Sequence, residues 1–106
     1  MTVYGSGIQT RSFTYVSDTV SAILKIVNNW KTGEVYNVGS DNETKIIDLA
    51  RMIIKVTGST STIVQKEMPP DDPLRRAADV SKIKKLGWHQ EIRLEEGLKI
   101  MFENLK

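Results

Sequence analysis

Three polar segments that lie far apart along the chain carry side chains suited to binding an anionic small molecule. They are residues 9–13 with Arg11, residues 36–39 with Asn37, and residues 71–76 with Arg75 and Arg76. Two of these segments contain arginine, and a guanidinium group can donate two parallel hydrogen bonds to phosphate oxygens. Taken singly, each residue is typical of an exposed arginine or of an asparagine in a turn. Together the segments predict an anion site without naming its ligand.

Two motifs that would indicate nicotinamide chemistry are incomplete. Gly5-Ser6-Gly7 follows a short strand candidate, but the third glycine of a dinucleotide-binding loop is replaced by Thr10, and an extended segment follows. No helix N-terminus is therefore available for a pyrophosphate, and the pattern predicts a turn. A second arrangement in nicotinamide enzymes is a tyrosine with a lysine four residues later, whose ammonium group lowers the phenol pKa. Tyr4, Tyr15 and Tyr36 are followed at that offset by Ile8, Thr19 and Ser40.

The composition of the 106-residue chain argues against several other kinds of site. The chain has no cysteine for a disulfide or a thiolate metal site, and its single histidine, His89, lies in a predicted loop. We therefore predict no metal. The net charge of +2 comes from interspersed charges, which is too little for a nucleic-acid-binding face. No apolar run approaches the roughly 18 residues of a membrane span, and no secretion signal is visible, so we expect a cytoplasmic protein.

Hydrophobic periodicity predicts four helices. In the first, Ser17 is predicted as the N-cap, and an apolar face is expected to be buried: Val20, Ile23, Ile26 and Val27, with Val16 packed beneath them. The second begins near Ile46 and ends at Gly58, the third is capped by Asp79 and ends at Gly87, and the fourth begins near Leu94.

Short strands are predicted over residues 2–4, 10–16, 34–38 and 62–64, and the proline-rich residues 68–73 are predicted to be irregular. Asn37 falls at the carboxyl end of the third strand, where ligand crevices open in α/β folds. The chain is thus predicted to be α/β, with short strands and about four helices. So few short strands make a weak free-standing sheet, which indicates that the chain packs against something else.

The order of these motifs resembles that of the extended short-chain dehydrogenases, the NAD-dependent epimerase/dehydratase family. Residues 2–18, TVYGSGIQTRSFTYVSD, resemble its VYGdGxQtRsFxYVsD stretch, and residues 36–39, YNVG, resemble its YNxG strand end. Residues 46–50, IIDLA, resemble the start of its next helix. Residues 71–82, DDPLRRAADVSK, resemble its DDPxxRxxDxsKa loop, and residues 86–88 with 94–98 resemble its LGW and LeeGL ending. Among its members, UDP-glucuronate decarboxylases look closest, ahead of dTDP-glucose 4,6-dehydratases and UDP-sugar 4-epimerases.

The resemblance implies that residues 1–106 form the C-terminal, sugar-nucleotide-binding domain of such an enzyme, without its N-terminal Rossmann domain. Arg11 matches the arginine that reaches the substrate phosphates or sugar, and Arg76 or its neighbour Arg75 matches the diphosphate-binding arginine. Tyr4 and Gln9 match the loop that lines the nucleotide pocket. Asn37 either contacts the ligand or holds the crevice wall together. The implied ligand is a UDP- or dTDP-sugar.

The chain departs from the family because it carries no glycine-rich NAD loop, no active-site Ser or Thr and no Tyr-x-x-x-Lys pair. The resemblance therefore implies no cofactor and no catalytic residue in this chain, with NAD bound elsewhere in the parent enzyme. One alternative is a portion of a larger enzyme, favoured by the retained arginines. The other is a stand-alone binding or oligomerisation module, favoured by Met1. Either would associate with the Rossmann domain or with a second copy of itself, and we expect a homo-oligomer.

Overall fold

The computed structural model describes all of residues 1–106 and confirms an α/β chain with four helices. In chain order the elements are β1 Thr2–Tyr4, β2 Thr10–Ser12, α1 Val16–Asn28, β3 Glu43–Lys45, α2 Ile46–Thr57, β4 Val64–Lys66, β5 Arg75–Arg76, α3 Ser81–Lys84 and α4 Leu94–Asn104. The strands form two small sheets. β1 pairs in parallel with β4, and β2 lies between β3 and β5.

The three-stranded sheet brings together segments that are far apart in the sequence. β2 is antiparallel to β3, where Thr10 is paired with Lys45, and parallel to β5, where Arg11 is paired with Arg76. The proline-rich residues 68–73 are irregular, as predicted, and they lead directly into β5. The short strand predicted over residues 62–64 lies two residues further along, as β4.

The last three helices follow their sequence patterns. α2 ends at Gly58, which adopts the left-handed conformation with φ of 65° and donates its N–H to the carbonyl of Ile54. α4 packs against α2. Before α3, the carboxylate of Asp79 accepts the backbone N–H of Ser81 at 3.0 Å, so Asp79 does cap the start of the helix, although the N-cap position itself is Val80. That hydrogen bond lowers the pKa of Asp79 below its ordinary value.

The start of α1 differs from the prediction that Ser17 is its N-cap. The helix begins at Val16, the N-cap position is Tyr15, and no side chain caps it. The carboxylate of Asp18 instead accepts the backbone N–H groups of Glu91 and Ile92, at 3.1 and 3.0 Å. Asp18 is only 2 % exposed, and its buried carboxylate needs hydrogen-bond donors. Those donors come from residues 91 and 92 and not from the first turn of α1.

A small core lies where α1 meets α3 and the loop after it. Its buried members are Ala22, Val80, Ile83 and Trp88, and Ile26, Tyr36 and Val38 pack against them. The indole N–H of Trp88 donates to the backbone carbonyl of Asp18 at 3.1 Å and to Ser21 Oγ at 3.0 Å. The buried indole N–H of Trp88 is therefore hydrogen-bonded, as burial requires.

The prediction that α1 buries an apolar face is wrong for most of that face. Val16, Val20, Ile23 and Val27 are between 49 % and 65 % exposed, and Leu24 is 58 % exposed. We call these five residues the α1 apolar face. The helix buries the side that carries Ala22 and Ile26, and the chain has no second layer to cover the rest.

The shape of the molecule agrees with a missing layer. The principal extents are 48 × 36 × 16 Å, and the radius of gyration is 16.2 Å. A compact domain of this length has a radius of gyration of about 13 Å. The chain is thus flat, and its smallest extent of 16 Å leaves room for about one helix packed on one sheet.

The strand predicted over residues 34–38 is absent, because no other strand of the chain lies beside it to form backbone hydrogen bonds. Side chains hold this segment in place. The ammonium group of Lys82 donates to the carbonyl of Val35 at 2.8 Å, and the amide of Asn37 donates to the carbonyl of Asp79 at 3.3 Å. Residues 34–38 have the composition of a strand, but no strand within residues 1–106 pairs with them.

Candidate functional site

A cavity of about 230 Å³ opens where β2, β5 and the loop after residue 37 meet. We call it the arginine cavity. Its lining residues are Arg11, Ser12, Thr14, Val38, Gly39, Ser40, Arg76, Ala77 and Ala78. All three polar segments predicted from the sequence contribute to this wall, so the fold brings them together.

Arg11 and Arg76 are the two cations of the cavity, and the strand register sets their positions. They are direct partners on the parallel strands β2 and β5, and neighbouring strands lie about 4.8 Å apart. This spacing separates the strand backbones, and the register places both side chains on the same face of the sheet, where both arginines line the cavity. This arrangement therefore favours a negatively charged ligand.

The two arginines differ in their existing partners. Arg11 is partly buried, with its side chain 18 % exposed. Its Nη1 donates to the carbonyl of Thr10 at 2.7 Å, and its Nη2 donates to Asp72 Oδ1 at 2.6 Å. Asp72 thereby fixes the orientation of Arg11 and ties the proline-rich loop to β2. Arg76 has no ion pair and no side-chain hydrogen bond in the chain, so all its guanidinium donors remain available.

Arg75 lies outside the arginine cavity, because successive side chains of a strand point to opposite faces. Its Nε contacts both carboxylate oxygens of Glu43, at 2.7 and 2.8 Å, and its Nη2 lies 2.6 Å from Oε2. Thr10 Oγ1 donates to the same carboxylate at 2.8 Å. The hydrogen bond from Arg75 lowers the pKa of Glu43 and raises that of Arg75. Arg75 thus links β5 to β3.

Tyr4, Gln9 and Asn37 also lie outside the lining of the cavity. Gln9 is 3 % exposed, and its amide nitrogen donates to the carbonyl of Tyr4 at 2.9 Å. Tyr4 is 50 % exposed. Asn37 binds the Asp79 carbonyl and so braces the loop whose next residues, Val38 and Gly39, form the wall. Of the six residues predicted from the sequence, the structure brings only Arg11 and Arg76 together in this cavity.

Several lining residues were not singled out from the sequence. Ser12 is one of them, and its hydroxyl is buried without a hydrogen-bond partner. Gly39 and Ser40 are others, contributed by the end of the YNVG motif and the residue after it. Ser12 and Gly39 belong to the predicted segments and Ser40 follows one of them, but the sequence does not reveal that β2 and this loop lie side by side.

Three other depressions on the surface contain no pair of cations. One of about 420 Å³ is lined by Arg75 and Asp79 and shares Ala77 and Ala78 with the arginine cavity. A wide one of about 800 Å³ beside residues 89–93 contains Arg93, but Glu91 lies in the same wall. An apolar one of about 230 Å³ lies between α2 and α4. No three His, Asp or Glu side chains come together in a way that could hold a metal ion.

The residues do not fit a bound dinucleotide at the Gly5-Ser6-Gly7 turn. Gly7 has a φ of 76°, and a Cβ added to it would lie 2.7 Å from Ile47 Cβ and 2.9 Å from Val3 Cγ1. The glycine is therefore required by packing between the turn and α2. The turn leads into β2 and not into a helix, so it offers no helix dipole to a pyrophosphate.

One tyrosine does meet a lysine in space, although the sequence offset did not indicate it. Lys82 Nζ lies 4.9 Å from the centre of the Tyr36 ring, over its face. The same ammonium group is paired with Glu34 and hydrogen-bonded to Val35. It is therefore engaged as a structural cation and is not placed at the phenol oxygen for proton transfer.

Comparison with known proteins places the chain in a family. Residues 1–101 match the family described as GDP-mannose 4,6 dehydratase. UDP-glucuronic acid decarboxylase 1 of Arabidopsis thaliana is 40% identical over 107 residues, which cover 100% of this chain and 24% of that protein. UDP-glucuronic acid decarboxylase 1 of Xenopus tropicalis is 43% identical over 99 residues, which cover 92% of this chain and 23% of that protein.

Solved structures show the same fold. UDP-glucose 4-epimerase of Thermotoga maritima, solved with UDP-glucose, matches with a TM-score of 0.90 at 31% identity over 99% of this chain and 34% of that one. UDP-glucuronic acid 4-epimerase of Bacillus cereus, solved with UDP-glucuronic acid and NAD, matches with a TM-score of 0.83 at 30% identity over 99% of this chain and 35% of that one.

The chain belongs to the GDP-mannose 4,6-dehydratase family of extended short-chain dehydrogenases, and it matches their C-terminal part. It spans between about a quarter and a third of the length of the relatives it matches. None of its helices is long and apolar enough to cross a membrane.

Proposed function

We propose that residues 1–106 form the sugar-nucleotide-binding domain of an NAD-dependent nucleotide-sugar epimerase, dehydratase or decarboxylase. The ligand is a UDP- or dTDP-sugar, and its diphosphate lies in the arginine cavity. The observation that carries the proposal is the pairing of Arg11 with Arg76 on adjacent strands, with Arg76 left without an anionic partner.

The chemistry of the cavity supports a diphosphate. Arg76 is exposed in the chain alone and can offer a bidentate pair of N–H groups. Charge-assisted hydrogen bonds of this kind contribute about 1.5–3 kcal/mol each where they are sheltered from water, and less where they are not. Asp72 already neutralises part of the charge of Arg11 and fixes its orientation. The cavity therefore holds one oriented guanidinium group, that of Arg11, and one without a protein partner, that of Arg76.

The proposal assigns the redox chemistry to residues outside this chain. Hydride transfer needs bound NAD, and the one Gly-x-Gly turn present here is filled by Val3 and Ile47. The chain by itself is therefore not catalytic and has no tight site for NAD. Calorimetric titration of the 106-residue chain with NAD tests this directly, and stoichiometric binding would contradict it.

The α1 apolar face is where we propose that the chain docks on the cofactor-binding domain or on a second copy, giving a homo-oligomer in the second case. The α1 apolar face exposes five large apolar side chains, and residues 34–38 lack a partner strand. A second protein layer could cover the helix face and pair with that segment. We also propose a cytoplasmic location for the protein, which cell fractionation tests.

The test of the proposed ligand is a comparison of UDP with uridine, using the full-length polypeptide that contains these residues. Because the cavity binds phosphate, UDP should bind at least about 10-fold more tightly than uridine. Arg11→Ala should remove most of that difference, while Arg51→Ala, on an exposed arginine of α2, should preserve it. Equal affinities for UDP and uridine in the unmodified protein would refute the proposal.

A further inference from the structure

Gly39 lies in the wall of the arginine cavity, and nothing in the chain's own geometry requires a glycine there. It is absent from the glycines with positive φ, so its backbone suits any residue. A Cβ added to it would meet only Thr14 Oγ1 at 3.9 Å and Ala78 Cβ at 4.0 Å, which are ordinary contact distances. An alanine would therefore fit the fold without strain.

The position of that added Cβ shows what the glycine leaves open. Thr14 and Ala78 both line the arginine cavity, so a methyl group between them would occupy the cavity itself. By contrast, a Cβ at Gly7 would collide with the packed side chains of Val3 and Ile47. The space at Gly39 is therefore left for something that is not part of the chain.

We propose that Gly39 sets the size of the ligand site. Because Gly39 has no side chain, a diphosphate bound by Arg11 and Arg76 can approach the backbone of Gly39 closely. This inference rests on the proposed function and adds to it a residue that determines which ligands fit. A small residue is needed at this position for ligand access and not for folding. Ala78 serves the same purpose on the opposite side of the opening.

The test is UDP titration of Gly39→Ala in the full-length polypeptide, alongside thermal unfolding. We expect UDP to bind about 10-fold or more weakly, as one extra methyl group in a filled pocket does. The unfolding midpoint should be unchanged or higher, since alanine restricts the unfolded chain. Ala78→Val should weaken binding similarly. The matched control is Val35→Ile, which adds one methyl group to the same segment at a side chain 76 % exposed, and should change neither value.

Arg76→Ala, measured in the same series, separates this inference from the proposed function. If Arg76→Ala weakens UDP binding and both Gly39→Ala and Ala78→Val leave it unchanged, the role of Gly39 is refuted and the proposed function stands. If Arg76→Ala also leaves it unchanged, the diphosphate does not lie in this cavity, and both proposals fail. A lower unfolding midpoint for Gly39→Ala would show that the glycine serves the fold and would overturn the inference.

Discussion

The carboxylate of Asp18 accepts the backbone N–H of Ile92 at 3.0 Å and joins the first turn of α1 to the segment that enters α4. The two residues are 74 positions apart. Glu91 donates to the same carboxylate, and Trp88 donates to the backbone carbonyl of Asp18. One buried residue therefore holds the C-terminal segment against the first helix, and it does so in a chain with a small core.

Replacing this carboxylate should cost more stability than replacing an exposed one. Asp18→Ala leaves two partly buried N–H groups without their charged acceptor, so we expect the free energy of unfolding to fall by roughly 2 kcal/mol. Urea denaturation followed by tryptophan fluorescence measures it. Asp48→Ala removes an exposed carboxylate from the first turn of α2 and should cost less than about 1 kcal/mol. Equal costs would show that the Asp18 contacts contribute little.

Two glycines with similar backbone angles allow packing to be separated from backbone strain. Gly7 and Gly33 have φ of 76° and 79°, but only Gly7 has neighbours that an added Cβ would strike. We expect Gly33→Ala to cost about 1 kcal/mol, from the left-handed conformation alone. Gly7→Ala should cost about 3 kcal/mol, because Ile47 and Val3 must also move. Similar costs, measured by thermal unfolding, would contradict the tight packing described at Gly7.

The sequence pattern was reliable for several features that depend on neighbouring residues, although the local prediction of Ser17 as the N-cap of α1 was wrong. The αL stop at Gly58, the cap at Asp79 and the irregular proline segment depend on local backbone chemistry, and each was predicted. The pattern failed where burial or strand pairing depends on segments that are distant in the sequence or absent from this chain. The apolar residues of α1 do not reveal whether another layer covers them, and residues 34–38 do not reveal whether a partner strand exists.

The same distinction applies to the candidate site. Charge and planarity mark Arg11, Arg75 and Arg76 as possible phosphate ligands, but the alternation along β5 decides which of the last two faces the cavity. Arg75 is taken up by Glu43, whereas Arg76 shares the cavity with Arg11. This assignment needs the register between β2 and β5, which joins positions 65 residues apart and has no local sequence signal.

The Glu43–Arg75 pair should make stability depend on pH in the acid range. The pKa of Glu43 is held below its ordinary value of 4.5 in the folded chain by the Arg75 hydrogen bond. Its contribution is therefore present above pH 4.5 and is lost as the pH falls through the folded-state pKa. We expect Glu43→Gln to unfold at lower urea than the unmodified chain at pH 7, with the two converging in acid. Arg75→Gln should show the same convergence, and a pH-independent difference would contradict it.

The exposed α1 apolar face should drive association of the isolated chain. Sedimentation equilibrium should give a mass above the 12.0 kDa monomer, since burial of apolar area contributes about 25 cal/mol per Å². Replacing Val20 and Ile23 with glutamine should shift the chain to the monomer. Leu74→Gln, on a side chain 63 % exposed elsewhere, should not. A clean monomer with a high unfolding temperature in the unmodified chain would contradict this prediction.

The most direct measurement of the central claim compares two adjacent arginines by calorimetric titration with UDP, in the full-length polypeptide. Arg76→Ala and Arg75→Ala remove the same charge from the same strand, but only Arg76 lines the cavity, and Arg75 is occupied by Glu43. A diphosphate between Arg11 and Arg76 predicts that Arg76→Ala raises the dissociation constant by about 10- to 100-fold. Arg75→Ala should raise it less than about 3-fold, because that arginine contributes only through screened surface charge. An unchanged dissociation constant for Arg76→Ala, or a larger loss for Arg75→Ala, would contradict the account.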